Sequence, residues 1–152
     1  MGTATSSLLA GIVANGDPAG NLTPGGVFDF LQMNNNTING GGFGVSVNGL
    51  ASPLATNLVI ENNNINDFSS NGVYLRETDG AEVRRNNFNK SAGSTASVNG
   101  IQLAQAANIN GRVHDNFIKM TQTAGSFVGI YLFDGTGHKV YNNLIYDIRS
   151  TT

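Results

Sequence analysis

The sequence predicts an all-β solenoid of about five coils, each with three short strands and an asparagine at one corner. Two motifs and their alternation carry that prediction. The first is apolar-x-x-Asn-x-apolar. It occurs as Met33…Asn36…Ile38, Ile60…Asn63…Ile65, Val83…Asn86…Phe88, Val113…Asn116…Ile118 and Val140…Asn143…Ile145, with Asn-to-Asn steps of 27, 23, 30 and 27 residues. The second is Gly-apolar-x-apolar, which begins at Gly11, Gly44, Gly72, Gly100 and Gly129, the last three steps being 28, 28 and 29 residues. The two motifs alternate five times with no helical period between them. Units of this length cannot bury an apolar face alone, so each must stack on the next.

Each element of the coil follows from side-chain alternation. In the first strand Val45/Val47, Val73/Leu75, Ile101/Leu103 and Ile130/Leu132 share one face, which points inward. The second strand contributes Leu58/Ile60, Val83, Val113 and Val140, and the third Ile38, Ile65, Phe88, Ile118 and Ile145, with Phe68 and Ile148 further on. These rows are core. Turn-rich stretches separate the strands: Gly16–Gly26, Arg76–Gly80 and Phe133–Gly137. Asparagine tolerates the left-handed backbone of a sharp corner, and stacked asparagines hydrogen-bond to one another as a ladder. The glycine opening each first strand is expected to serve another tight corner.

The GIxL-type strands with the "V-x-x-N-x-I" corner resemble the right-handed parallel β-helix repeats of the pectate-lyase-like superfamily, from about Gly11 to Ile148. The right hand of the helix comes from this resemblance. The superfamily includes lyases, hydrolases, epimerases, tailspikes, adhesins and members without known activity, so the fold leaves function open. The resemblance does imply that substrate would lie along the outer face of the first strand and its flanking loops.

Composition narrows the classes. The chain has 152 residues, which suits one domain over 1–152. Charged residues are 12%, about half the usual ~25%. A net charge of −2 with scattered cations supplies no basic stripe for nucleic acid. Without cysteine there is no disulfide, thiolate metal site or cysteine nucleophile. No apolar run is long enough for a membrane-spanning helix. Leu8–Ala14 reads as a strand rather than a signal peptide, and residues 1–10 as a tag or irregular start. No cofactor and no metal are expected; His138 lacks a second histidine beside it.

Projected onto the outer face of the first strand, one row reads Ser46, Tyr74, Gln102, Tyr131 and the next Asn48, Arg76, Ala104, Phe133. Neither holds a carboxylate, whereas hydrolases of the resembled family need two or three Asp there and its lyases a calcium-binding carboxylate cluster with a base. Glu77, Asp79 and Asp134 in the following loops are the nearest acids, and Asp79-Gly80 and Asp134-Gly135 are also ordinary turn dipeptides. No catalytic residue is therefore assigned. Tyr74 and Tyr131 can stack on sugar rings while Gln102, Asn48 and Arg76 bind hydroxyl or acidic groups, and of these Tyr74, Arg76, Gln102 and Tyr131 are the candidate polysaccharide-binding residues. The outward row of the second strand is Glu61, Arg84, His114, Tyr141, with a Glu61–Arg84 ion pair and His114 on a solvated face. Thr-x-Thr does not recur at the coil period, so a flat threonine array of the ice-binding kind is absent.

The expected function is a non-catalytic spacer or adhesin module of a secreted or cell-surface protein, with a weak glycan-binding face. One alternative is a fragment of a polysaccharide lyase or glycoside hydrolase. The other is a homo-oligomer assembled by end-to-end stacking, because the sequence shows no capping helix and uncapped coils expose strand edges. On the same ground the chain is expected to be a segment of a larger protein.

Overall fold

The computed structural model describes residues 10–16, 25–91, 96–104, 108–122 and 125–150. The start over residues 1–9, the turn-rich stretch over 17–24 and the side chain of Ile148 lie outside the described residues. The chain winds into a parallel β-helix with three main sheets. Sheet 1 stacks Ala10–Ala14, Phe43–Asn48, Asn71–Arg76, Val98–Ala104 and Phe127–Phe133. Sheet 2 stacks Gln32–Asn34, Val59–Glu61, Glu82–Arg84, Arg112–His114 and Lys139–Tyr141. Sheet 3 stacks Thr37–Asn39, Asn64–Asn66, Asn87–Lys90, Phe117–Gln122 and Leu144–Ser150. Five strands per sheet make four stacking steps, so the path completes about four turns where the sequence suggests about five. A two-strand sheet, Ala55–Thr56 with Thr78–Asp79, extends the corner after sheet 1 and has no counterpart in the sequence reading.

Every pairing is parallel, and the motif positions fall in register. Val45, Val73, Ile101 and Ile130 align in sheet 1, Ile60, Val83, Val113 and Val140 in sheet 2, and Ile65, Phe88, Ile118 and Ile145 in sheet 3. These rows meet in one apolar core with Leu58 and Phe68. The last coil differs: Leu132, Val140 and Ile145 occupy inward positions yet are exposed.

The asparagine ladder forms, but its backbone chemistry is shifted by one residue. Asn63 Nδ2 donates to Asn86 Oδ1 at 2.9 Å, and Asn86 Nδ2 donates to Asn116 Oδ1 at 3.1 Å. Asn36 begins the chain of bonds and Asn143 ends it. From Asn63 to Asn143, each Oδ1 also accepts the backbone N–H of the asparagine one coil earlier, and each Nδ2 reaches a carbonyl there, as Asn86 does to Ile60. The left-handed residue is the one before the ladder position: Asn35, Asn62, Arg85, Asp115 and Asn142, with φ between 53° and 59°. The ladder asparagine is thus selected by its buried amide and not by φ. A second left-handed corner, at Phe30, Asn57, Gly80, Asn110 and Gly137, closes the approach to sheet 2.

The strand glycines are also selected differently from expectation. None of Gly11, Gly44, Gly72, Gly100 or Gly129 has a positive φ. A Cβ on Gly44 would lie 2.3 Å from Ile65 Cγ2 and 2.6 Å from the Gly72 carbonyl oxygen; one on Gly72 would lie 2.5 Å from Phe88 Cδ1. Close approach of sheet 1 to the core of sheet 3 excludes a side chain.

Lys90 places a cation among the inward-facing positions of sheet 3. It sits two residues after inward-facing Phe88, aligned with Met120, and is almost completely buried. Burial pulls its ammonium below the ordinary value of 10.5, with the Asp67 carboxylate opposing that shift.

Asn86→Ala should strand buried backbone groups and cost about 1–3 kcal/mol, read as a lower midpoint in urea; an unchanged midpoint would refute a stabilising ladder. Lys90 binds a proton more weakly in the folded chain than in the unfolded one. Its contribution therefore becomes more favourable as pH rises from the folded value to 10.5 and is lost as pH falls. Relative to Lys90→Met, the parent should gain stability over that alkaline window in denaturation series at stepped pH.

Candidate functional site

The outer face of sheet 1 carries the residues singled out from sequence. Its register sets Ser46, Tyr74, Gln102 and Tyr131 side by side, with Asn48, Arg76, Ala104 and Phe133 next to them. The structure adds a third row, Phe43, Asn71, Asn99 and Val128, just before the strand glycines. The Phe43 ring lies 5.6 Å from that of Tyr74, and Asn99 Nδ2 donates to Gln102 Oε1 at 2.9 Å and to Asn71 Oδ1 at 3.0 Å. These contacts require the residue before the glycine and the residue two after it to face the same way, because the glycine turns its bare side into the core.

Exposure along this face is uneven. Ser46 and Asn48 are completely buried despite their outward register, and Tyr74 is half-buried against Phe43. Burial pushes the Tyr74 hydroxyl above its ordinary value. Tyr131 and Phe133 are 37% and 51% exposed with their rings 5.9 Å apart. Gln102, held by Asn99, borders this pair. Arg76 is turned aside, its Nε 3.5 Å from Glu77 Oε1. Of the four predicted contact residues, Gln102 and Tyr131 form the open patch, while Tyr74 and Arg76 are partly engaged by the protein itself.

The acids of the flanking loops do not converge. Glu77 follows Arg76 and Asp134 follows Phe133, so these two align, at two coil steps or about 10 Å. Glu77 is buried, while Asp134 is exposed and accepts the Gly135 N–H at 2.9 Å. Asp79 aligns instead with Thr56 and Ile109 and accepts from Asn110 Nδ2. Asp79 lies on the short strand Thr78–Asp79, whereas Asp134 holds the left-handed corner position that Glu77 holds two coils earlier.

On sheet 2 the Glu61–Arg84 pair is present at 2.7 Å. His114 is not solvated as expected. It is buried, stacked on Tyr141 at 4.6 Å, with Nε2 2.9 Å from Glu82 Oε1 and Nδ1 2.8 Å from Asp115 Oδ2. Arg84 also reaches Glu82 at 3.1 Å, so a continuous network of ion pairs and hydrogen bonds runs from Glu61 to Asp115 across three coils. Burial pushes the Glu82 carboxyl up, but the His114 hydrogen bond and the nearby cations outweigh it and hold it below its ordinary value. The Asp115 carboxyl is held down chiefly by its hydrogen bond with His114. The pattern Glu82-x-Arg84 beside Arg112-x-His114 was available in the sequence as a two-row grid; a single row hid it.

His138 Nδ1 accepts the Gly111 N–H at 3.1 Å. Among the described residues no three His, Asp or Glu side chains converge as a metal site, and no helix is long and apolar enough to cross a membrane.

No curated protein and no solved structure gives a match to the chain. A family described as "Right handed beta helix region" matches residues 7–151, which spans all three sheets and every repeat of both motifs. With coil period, asparagine ladder and parallel register all in place over that range, the chain belongs to the right-handed β-helix family.

Proposed function

We propose that the chain is a non-catalytic, rigid β-helix module of a secreted or cell-surface protein, and that it binds polysaccharide weakly at the open end of sheet 1. The observation carrying this reading is the exposed Tyr131–Phe133 pair beside amide-bearing Gln102, on a face with no carboxylate in its central rows. Aromatic faces stack on the apolar faces of sugars, and an amide both donates to and accepts from hydroxyls. The split between Glu77, buried against Arg76, and Asp134, exposed at its turn, argues against an acid–base pair and hence against the lyase or hydrolase reading.

A second reading, assembly by coil stacking, draws support from the last coil. Leu132, Val140 and Ile145 expose apolar surface there. A second copy adding its first coil would bring Asn36 Oδ1 towards the Asn143 backbone N–H and extend the ladder with unchanged polarity. Met33 and Ile38 in the first coil are already buried, which limits what such a contact can add.

Purified protein presented to a polysaccharide array should bind without producing new reducing ends or unsaturated products. Tyr131→Ala should weaken binding about three- to tenfold, the loss of one stacked ring, and leave the melting midpoint within experimental error. Turnover would refute the non-catalytic reading, and undiminished binding by Tyr131→Ala would remove sheet 1 as the site. Sedimentation over a concentration series tests stacking: a strict monomer at all concentrations would exclude it.

A further inference from the structure

The outer face of sheet 3 carries a second ordered surface. Its register is unbroken from Thr37 through Asn64 and Asn87 to Phe117, and from Asn39 through Asn66 and Asn89 to Lys119. On three successive coils the outward pair on either side of the buried apolar residue is Thr37/Asn39, Asn64/Asn66 and Asn87/Asn89. Each of these six side chains reaches solvent, wholly or in part. They form a grid with spacings of about 4.8 Å between coils and about 6.6 Å along the strand.

The grid is organised before any ligand arrives. Asn66 Nδ2 donates to Asn39 Oδ1 at 2.9 Å, and Asn87 Nδ2 donates to Asn64 Oδ1 at 3.4 Å. Each donation uses one of two amide hydrogens, so donor capacity remains on the outer side. Side chains already held in place lose less entropy on binding.

The next two coils continue the same rows with different chemistry. Phe117 and Leu144 are 46% and 48% exposed, and Tyr146 packs edge-on to Phe117 with ring centroids 5.1 Å apart. Lys119, the one cation within these rows, lies 3.5 Å from the Asp147 carboxylate. The surface is thus an uncharged amide and hydroxyl grid that runs into an aromatic platform, along about 19 Å of axis.

We infer that this face of sheet 3 is a binding site for an extended neutral oligosaccharide, whose hydroxyls bond the amides of Asn64, Asn66 and Asn87 and whose terminal ring stacks on Phe117 and Tyr146. An anionic ligand finds no free cation in the grid. A purely apolar partner would strand the outward amide groups, at the cost of unpaired polar atoms. A chain of hydroxyl-bearing rings satisfies both halves at once. This site is on a different sheet from the Tyr131 patch and does not depend on it.

The test is a titration of the full chain, 15N-labelled, with cellohexaose, xylohexaose and chitohexaose, and with hexagalacturonate as the acidic counterpart, following asparagine side-chain amide signals. At least one neutral hexasaccharide should shift the Asn64, Asn66 and Asn87 amides saturably, and Tyr131→Ala should leave these shifts unchanged. Phe117→Ala and the double substitution Asn64→Ala/Asn87→Ala should each weaken that binding about tenfold or more. Shifts confined to sheet 1, stronger binding of hexagalacturonate, or no saturable shift with any neutral probe would overturn the proposal. Should the double variant fail to fold, the signal map of the parent chain still decides the location.

Discussion

The parallel stacking of one coil on the next, held in register by the buried asparagine ladder, is the constraint on which the rest of this structure depends. The ladder amides of Asn63, Asn86 and Asn116 engage their neighbours in both axial directions: Oδ1 accepts from the coil before, and Nδ2 donates to a carbonyl of that coil and to the amide oxygen of the next. A slip of one residue would break all of these bonds and turn the apolar rows outward. The ladder and the apolar stacks therefore specify the same register by independent means.

Once register is specified, everything on the outside becomes a set of rows. The outer face of sheet 1 is a graded surface, closed at Ser46 and Asn48 and open at Tyr131 and Phe133. Sheet 2 carries a network of ion pairs and hydrogen bonds around the buried His114, where each carboxylate contacts a cation or ring nitrogen. Sheet 3 carries uncharged amides that give way to aromatics. One backbone scaffold thus presents three chemically distinct faces, and function has to be argued from the faces.

Much of the architecture was legible because solenoid repeats make distant contacts periodic. The alignment of Tyr74 with Gln102 and of Glu61 with Arg84 follows from counting between motifs. Counting does not give burial on the outer surface. Ser46 has the same register as Tyr131, yet one is buried and the other exposed. Nor does it give corner length: Asp79 and Asp134 both follow a first strand and precede a glycine, yet Asp79 lies on the short strand Thr78–Asp79 and Asp134 at a left-handed corner.

By itself the sequence determined the fold class, the coil period, the inward rows and the identity of the ladder asparagines, because alternation and repeat length are local, one-dimensional properties. Only the tertiary structure decided why the strand glycines are glycine, which residue at each corner bears the left-handed backbone, and that His114 is gripped by Glu82 and Asp115. Those outcomes depend on the distance between sheets and on diagonal contacts between coils, which arise when the chain closes around its core.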